Sequence, residues 1–217
     1  MSTPVTPEAA EKPSTAGAGG VTLAAPAPEQ DVDGLLQTAV SSHTEIQDLL
    51  QDPTVNIKLH RAVLKVDQEY LADHLTLTTL TGPGLISPQP YVFTNDDAGT
   101  LWAFYHLGRR LAGHSGIVHG GLVAALLDEC MGRACFPLLA GKIAVTAKLE
   151  VSYMAPVRVD SVIVLKAETV DVQGRKAWVE GTVEHLSLGR LEGKTTMAKA
   201  TGLFIEPKWA SEMGKMM

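Results

Sequence analysis

The stretch HSGIVHGGLVAALLDECMG, residues 114–132, decides how the rest of the chain is interpreted. Two consecutive glycines precede a run in which apolar residues lie on nearly all sides of a helix. This pattern predicts a buried α-helix over residues 119–135. The only carboxylates on it are Asp128 and Glu129. Because an unpaired buried carboxylate is costly, each of these acids needs a partner or a function.

Strand-like segments flank the predicted helix on both sides. Two precede it, at 90–95 and 99–108, and the NDDAG between them has the composition of a hairpin turn. Four longer segments follow it, at 142–156, 160–172, 175–188 and 194–206. Long antiparallel strands can curl around one buried helix, so the predicted class is α+β, with an antiparallel sheet wrapped around a central helix.

The two ends of the chain differ in composition from this core. Residues 1–31 are rich in Pro, Ala and Gly, which predicts a disordered tail because such a segment buries little apolar surface. The folded domain is expected over 85–207, followed by a C-terminal tail over 208–217.

An N-terminal extension is predicted between the tail and the domain, over 32–84. Apolar residues recur at roughly helical spacing over 32–51, and Pro53 would end that helix. A second helical or irregular piece is expected over 56–72. The extension is therefore expected to be mainly helical.

Composition excludes several classes of function and location. The chain has 217 residues and a formal net charge of −6, and it shows no basic stripe, so no nucleic-acid partner is expected. No apolar run reaches the length of a membrane span. The two cysteines are expected to be reduced and buried. The N-terminus is acidic and lacks arginine before Arg61, so the predicted location is the cytoplasm, with the mitochondrial matrix as the alternative.

The two adjacent acids receive different interpretations. Glu129 and Arg133 have the i,i+4 spacing of a surface ion pair on a helix. This leaves Asp128 without an assigned partner. From the residues alone, a structural role and a catalytic role for Asp128 both remain open.

The glycines and histidines also allow two readings. The amides of Gly120 and Gly121 at a helix N-terminus could bind a carbonyl oxygen that gains negative charge, or the pair could form a tight turn. His114 and His119 could be acid–base groups or hydrogen-bonded turn residues. The spacing of these histidines fits no zinc motif, so no metal site is predicted.

Two segments resemble one known family. The sequence GIVHGGLVAALLDECMG is similar to the helix-opening motif of hotdog-fold acyl-CoA thioesterases of the phenylacetate-pathway-like branch, where an Asp follows the His of H-G-G by nine residues. His119 and Asp128 have that spacing. The segment TAKLEVSYMAPVRVDSVIVLKAET resembles the long strand of that family and the strand after it. The resemblance covers residues 85–206, and TLTGPGLI is similar to fungal members.

The resemblance implies a set of site residues and an activity. The chain would hydrolyse an acyl-CoA to a free acid and CoA, with Asp128 as general base or nucleophile. The amide of Gly120, helped by that of Gly121, would polarise the thioester carbonyl. The hydroxyl of Thr146 would position the attacking water, and His119 would shape the turn near the thioester.

One position departs from the family pattern. Many members carry a polar residue six before the His of the motif, where this chain has Gly113. The neighbouring His114 and Ser115 are the candidates to take over that contact with substrate. The departure keeps open a non-catalytic acyl-CoA-binding module as the alternative function. A hydratase of the same fold is a weaker alternative, because its usual motif is absent from the sequence.

The resemblance also implies partners. The family builds each site from two subunits, so a homodimer or a dimer of dimers is expected, with the active sites at the subunit interface. Acyl-CoA is the expected small-molecule partner, and no cofactor is expected besides the CoA of the substrate. Candidate contacts to the CoA phosphates are Arg158, Arg175, Lys176 and Lys194.

Overall fold

A computed structural model describes residues 31–186 and 195–210 of the chain. Within these residues a seven-stranded sheet carries one long helix on one face. The helices are α1 (Val32–Ser42), α2 (Thr44–Gln51), α3 (Gln68–Leu71) and α4 (Gly120–Cys135). The strands are β1 (Ile57–His60), β2 (Tyr91–Asn95), β3 (Thr100–Leu107), β4 (Ala112–His114), β5 (Ile117–Val118), β6 (Val145–Tyr153), β7 (Ser161–Gln173), β8 (Lys176–His185) and β9 (Thr195–Ile205).

The sheet has the order β1-β2-β3-β7-β8-β9-β6, and its paired neighbours are antiparallel. Leu165 at its centre lies opposite Ala103 on β3 and Val183 on β8, and all three residues are fully buried. The short strands β4 and β5 form a separate hairpin immediately before α4. This architecture confirms the predicted α+β class with a sheet wrapped around a central helix.

The central helix α4 lies close against the sheet. Leu126, Leu127 and Met131 are fully buried beneath it. A Cβ atom at Gly181 on β8 would lie 2.8 Å from the sulfur of Met131, so the glycine leaves room for the helix side chain. The predicted helix over 119–135 therefore starts within one residue of the observed helix and packs as its apolar pattern requires.

The N-terminal helices cover the opposite face of the sheet. Leu36 and Ile46 are fully buried in a second apolar cluster that includes Phe104 of β3. The prediction of one continuous helix over 32–51 is wrong, because the backbone is extended at His43, with φ −83° and ψ 99°. The ring Nδ1 of His43 accepts the amide of Ile46 at 3.4 Å and so begins a second helix.

The prediction of a helical or irregular segment over 56–72 is also wrong at its start. Residues Ile57–His60 form β1, which pairs with β2 so that Leu59 lies opposite Phe93. The strand is short and lies at the edge of the sheet. Because Leu59 is 55% exposed, the alternation of apolar and polar residues in β1 is weak. The extension is thus partly helical and partly a strand of the main sheet.

The two predicted tails lie largely outside the described residues. Asp31, placed in the tail over 1–31, accepts the amide of Gly34 at 2.9 Å and caps α1. Ala210, placed in the tail over 208–217, is 3% exposed and belongs to the packed structure. In the described part of the chain, no helix combines the length and apolar character that a membrane crossing requires.

Candidate active site

The N-terminal end of α4 is formed by His119 and the glycines after it. His119 has an extended backbone and acts as the N-cap of the helix. Its Nδ1 accepts the amide N–H of Gly121 at 2.9 Å. The Gly121 amide therefore already has an acceptor. The expectation that it helps Gly120 to polarise a thioester carbonyl is not supported by this geometry.

The amide of Gly120 is placed differently. In the part of the chain that the structure describes, no backbone or side-chain acceptor receives its N–H. The carbonyl of Gly120 accepts the hydroxyl of Tyr153 at 2.7 Å, which links the start of α4 to the end of β6. The N–H thus lies at the positive end of the helix dipole, where it can donate to an oxygen that gains negative charge.

Asp128 and Thr146 are brought together by α4 and β6. The Oγ1 of Thr146 donates a hydrogen bond of 2.7 Å to Oδ1 of Asp128. Thr146 is exposed and Asp128 is half-buried, so water can reach this pair. The threonine proton orients the carboxylate, while the hydroxyl lone pairs and Oδ2 of Asp128 stay available to a water molecule.

Glu129 lies on another side of α4, beneath the N-terminal extension. Its Oε2 accepts the hydroxyl of the buried Thr76 at 2.5 Å. Burial raises the pKa of the Glu129 carboxyl above its ordinary value, and the nearby charge of Asp128 adds to this effect. The bond from Thr76 and the proximity of His74 act in the opposite direction.

The predicted ion pair between Glu129 and Arg133 is therefore wrong. Arg133 instead contacts Asp96, with 3.4 Å between Nη2 and Oδ1. The i,i+4 rule applies to an exposed helix face, whereas here the extension covers Glu129 and supplies its partner.

The free amide and the paired carboxylate are far apart within one chain. Gly120 and Asp128 are separated by eight residues of one helix, which corresponds to about 12 Å along its axis. A reacting carbonyl must lie about 3 Å from both the oxyanion donor and the attacking group. One copy of the chain therefore cannot place both groups on the same thioester.

Comparison with known proteins identifies the family of the chain. The family model for the thioesterase superfamily matches residues 115–191, which include α4 and Thr146. An uncharacterized mitochondrial protein from Candida albicans (strain WO-1) is 33% identical over 170 residues, which cover 78% of this chain and 75% of that protein. The chain belongs to the thioesterase superfamily.

More distant members carry functional names. The acyl-coenzyme A thioesterase THEM4 from Mus musculus is 32% identical over 99 residues, which cover 46% of this chain and 40% of that protein. The solved structure of the E. coli PaaI protein from the phenylacetic acid degradation operon is 14% identical, with a TM-score of 0.45, and the match covers 50% of this chain and 73% of that one. The activity and the pathway in these two names are properties of THEM4 and of the PaaI protein.

Packing explains why a glycine occupies position 113, where the chain departs from the expected family pattern. A Cβ atom at position 113 would lie 2.8 Å from the backbone Cα of His119. Any side chain there would displace the residue that caps α4. His114 and Ser115 are exposed in the β4–β5 hairpin at the same end of the helix, and their contact with substrate stays a prediction.

The cations predicted to contact CoA phosphates lie at two ends of the fold. Arg158 is exposed and forms a backbone bridge with Ile117, next to the start of α4. Arg175 and Lys176 are at the β7–β8 turn, where Nη1 of Arg175 donates to the carbonyl of Glu206 at 2.8 Å. Lys194 lies outside the described residues. One chain therefore does not gather these cations into one phosphate site.

Three residues near the site were given no role from the sequence. Tyr153 anchors Gly120, and Thr76 and His74 bring the extension to Glu129. Tyr153 is 33 positions from Gly120 and Thr76 is 53 positions from Glu129, so local spacing could not predict these contacts. Among the residues that the structure describes, no three His, Cys, Asp or Glu side chains form a group able to hold a metal ion.

Proposed function

We propose that this chain is an acyl-CoA thioesterase that hydrolyses a thioester to a carboxylic acid and free CoA. The observation that carries the proposal is the 2.7 Å hydrogen bond between Thr146 and Asp128 at a water-accessible position on α4. Membership of the thioesterase superfamily and similarity to an acyl-coenzyme A thioesterase support it.

Asp128 starts the reaction in one of two ways. As general base it removes a proton from a water molecule whose oxygen attacks the thioester carbon. As nucleophile it attacks that carbon itself, and water then hydrolyses the anhydride. In either case a C–O bond forms, the C–S bond breaks and the CoA sulfur leaves with a proton. The amide of Gly120 stabilises the charge that develops on the carbonyl oxygen.

A second subunit is part of this proposal. The two groups are about 12 Å apart in one chain, so Asp128 of one protomer is expected to face Gly120 of the partner subunit. A homodimer, alone or within a dimer of dimers, would contain two such sites. A groove of about 360 Å³ beside Gly120, lined by Tyr153 and Met154, gives substrate a route to the amide.

The edge strand β6 is the surface that fits the second copy. Among residues 31–186 and 195–210 it pairs with β9 alone, and its exposed apolar residues include Val145 and Tyr153. An unpaired edge of nine residues is a template for another strand. Pairing two copies of β6 would continue the sheet across the dimer.

The charges on β6 favour one register for this pairing. Lys148 and Glu150 are exposed, lie two residues apart on one face and form an ion pair at 2.6 Å. In an antiparallel pair with a two-fold axis through Leu149, each Lys148 would lie opposite Glu150 of the partner subunit. The strand is therefore self-complementary in charge.

A thiol-release assay on a panel of acyl-CoAs tests the proposed activity. The purified full chain is expected to release CoA, and Asp128→Asn is expected to lower the rate at least ~100-fold, the scale of losing a general base. Asp171→Asn, an exposed acid on β7, is the control with the same chemical change. Equal rates for wild type and Asp128→Asn would reject the mechanism. Stable binding of acyl-CoA without turnover would support the binding-module alternative instead.

We also propose a mitochondrial location, which was the alternative to the cytoplasm in the sequence interpretation. The relative from Candida albicans is described as mitochondrial. A fluorescent protein fused to the C-terminus of the full chain is expected to overlap with a mitochondrial marker. A uniform cytoplasmic signal would contradict this location.

A further inference from the structure

A cleft of about 910 Å³ lies at the C-terminal end of α4. One wall comes from the extension, the other from the end of α4, the start of β6 and the C-terminal segment. Its lining is mainly apolar and includes Leu64, Tyr70, Phe136, Ala144, Val145 and Trp209. The volume falls within the range of about 300–1,000 Å³ that encloses small-molecule ligands.

The cleft adjoins the candidate active site. Val145 in its wall is followed directly by Thr146, whose hydroxyl binds Asp128. Through Val145 the cleft therefore lies next to the residue that binds Asp128.

Some of the charged side chains that line the cleft already have partners, while Lys65, Asp67 and Asp97 also line it. Arg133 contacts Asp96, and Asp96 also binds Lys58 at 2.8 Å. The ammonium group of Lys142 donates to the carbonyl of Pro137. A charged ligand that approached Arg133, Asp96 or Lys142 would have to compete with these contacts, whereas an uncharged apolar group would not.

Large apolar side chains at the cleft are left partly in water. Tyr70 is 54% exposed and Trp209 is 44% exposed. Covering them with an apolar ligand would remove that surface from water, which favours binding. We infer that this cleft holds the acyl chain of the substrate and that the enzyme prefers long aliphatic acyl groups. This inference rests on the proposed thioesterase function.

The extension is what makes this preference specific to the chain. The wall residues Leu64, Tyr70 and His74 lie outside the region 115–191 that matches the superfamily model. The selection of chain length is thus assigned to the extension and to Trp209, and the chemistry to α4 and β6.

Binding of CoA thioethers measures the cleft without turnover. A series of S-alkyl-CoA compounds from ethyl to hexadecyl is titrated into the full chain by calorimetry. Affinity is expected to rise up to about fourfold for each added CH₂ until the cleft is filled, because each buried CH₂ contributes a similar free energy. An affinity that does not depend on alkyl length would overturn the inference.

Two variants locate the effect. Ala144→Phe fills the cleft and is expected to weaken hexadecyl-CoA binding at least tenfold while leaving ethyl-CoA within threefold. Trp209→Ala alters an exposed wall residue, with little risk to folding, and is expected to weaken long chains about fivefold. The matched control is Val170→Phe, which adds bulk at a position on β7 that is 52% exposed. Loss of long-chain binding in Val170→Phe as large as in Ala144→Phe would reject the cleft.

The thiol-release assay on acyl-CoAs of the same lengths separates the two proposals. Length-dependent thioether binding without any thiol release would contradict the thioesterase function and keep the acyl site. Thiol release that does not depend on acyl-chain length and is unchanged in Ala144→Phe would support the thioesterase function and contradict the assignment of the cleft as the acyl site.

Discussion

Asp128 and Glu129 are neighbours on α4, but they lie on different sides of the helix and have different surroundings. Each accepts a hydrogen bond from a threonine hydroxyl, Asp128 from Thr146 of β6 and Glu129 from Thr76 of the extension. Thr146 is exposed, whereas Thr76 is 8% exposed. The segment that covers each side of the helix thus decides which carboxylate stays accessible to substrate and water.

The largest expected effect is the difference in enzymatic activity between variants of these two acids. Asp128→Asn is expected to reduce kcat/KM at least ~100-fold because it removes the base or nucleophile. Glu129→Gln keeps the acceptor for Thr76 and is expected to stay within about threefold of wild type. Thiol release under identical conditions measures both variants.

Thermal unfolding of both variants is the control for this comparison. Each is expected to unfold close to the wild-type temperature, so that a loss of activity reports chemistry and not folding. A loss of activity in Glu129→Gln as large as in Asp128→Asn would remove the distinction between the two sides of the helix.

The second effect concerns β6, the side of the helix that is proposed to need a partner. Lys148→Glu would place like charges opposite each other twice in a two-fold pair, so the dimer is expected to weaken about tenfold. Activity per chain is expected to fall in parallel at low protein concentration. Sedimentation velocity measures the dimer.

The double variant Lys148→Glu with Glu150→Lys restores opposite charges in the same register. It is expected to recover both the dimer and the activity. A dimer that is insensitive to Lys148→Glu would show that the two copies meet through another surface or in another register.

The elements that local patterns specify were predicted well from the sequence. The apolar residues of α4 and the alternation in β7 and β8 placed these elements within one to three residues of their observed ends. The family resemblance named Asp128 and Thr146 as site residues, since spacing alone left the role of Asp128 open, but it did not predict the hydrogen bond between them.

Contacts between distant segments could not be predicted in this way. The partner of Glu129 comes from Thr76, 53 positions earlier, so the i,i+4 rule selected Arg133 instead. The break at His43 depends on a side-chain cap that leaves the apolar spacing unchanged. The edge strand β1 shows little alternation of apolar and polar residues because one side of it faces water.

The third effect compares the two threonines. Thr146→Val removes the bond that orients Asp128 and is expected to lower kcat/KM about threefold to tenfold, with little change in stability. Thr76→Val leaves the half-buried Glu129 without its donor and is expected to lower the free energy of unfolding by about 1–3 kcal/mol. Urea unfolding and thiol release are measured for both variants. Equal effects of the two substitutions on stability would contradict the difference in burial.

The smallest effect is the pH dependence of stability from Glu129. Burial holds its pKa above the ordinary value of 4.5, so the folded chain binds this proton more tightly than the unfolded chain. The stabilisation from the protonated form is complete below the unfolded pKa and is lost as pH rises through the folded pKa. Glu129→Gln lacks this titration, so its stability relative to wild type is expected to increase from pH about 4 to pH about 7 in urea unfolding. Histidines such as His106, whose pKa is lowered by burial, titrate in both proteins and cancel in the difference. A difference that stays constant with pH would show that the Glu129 carboxylate is as well solvated in the folded chain as in the unfolded one, and the contrast with Asp128 would then rest on activity alone.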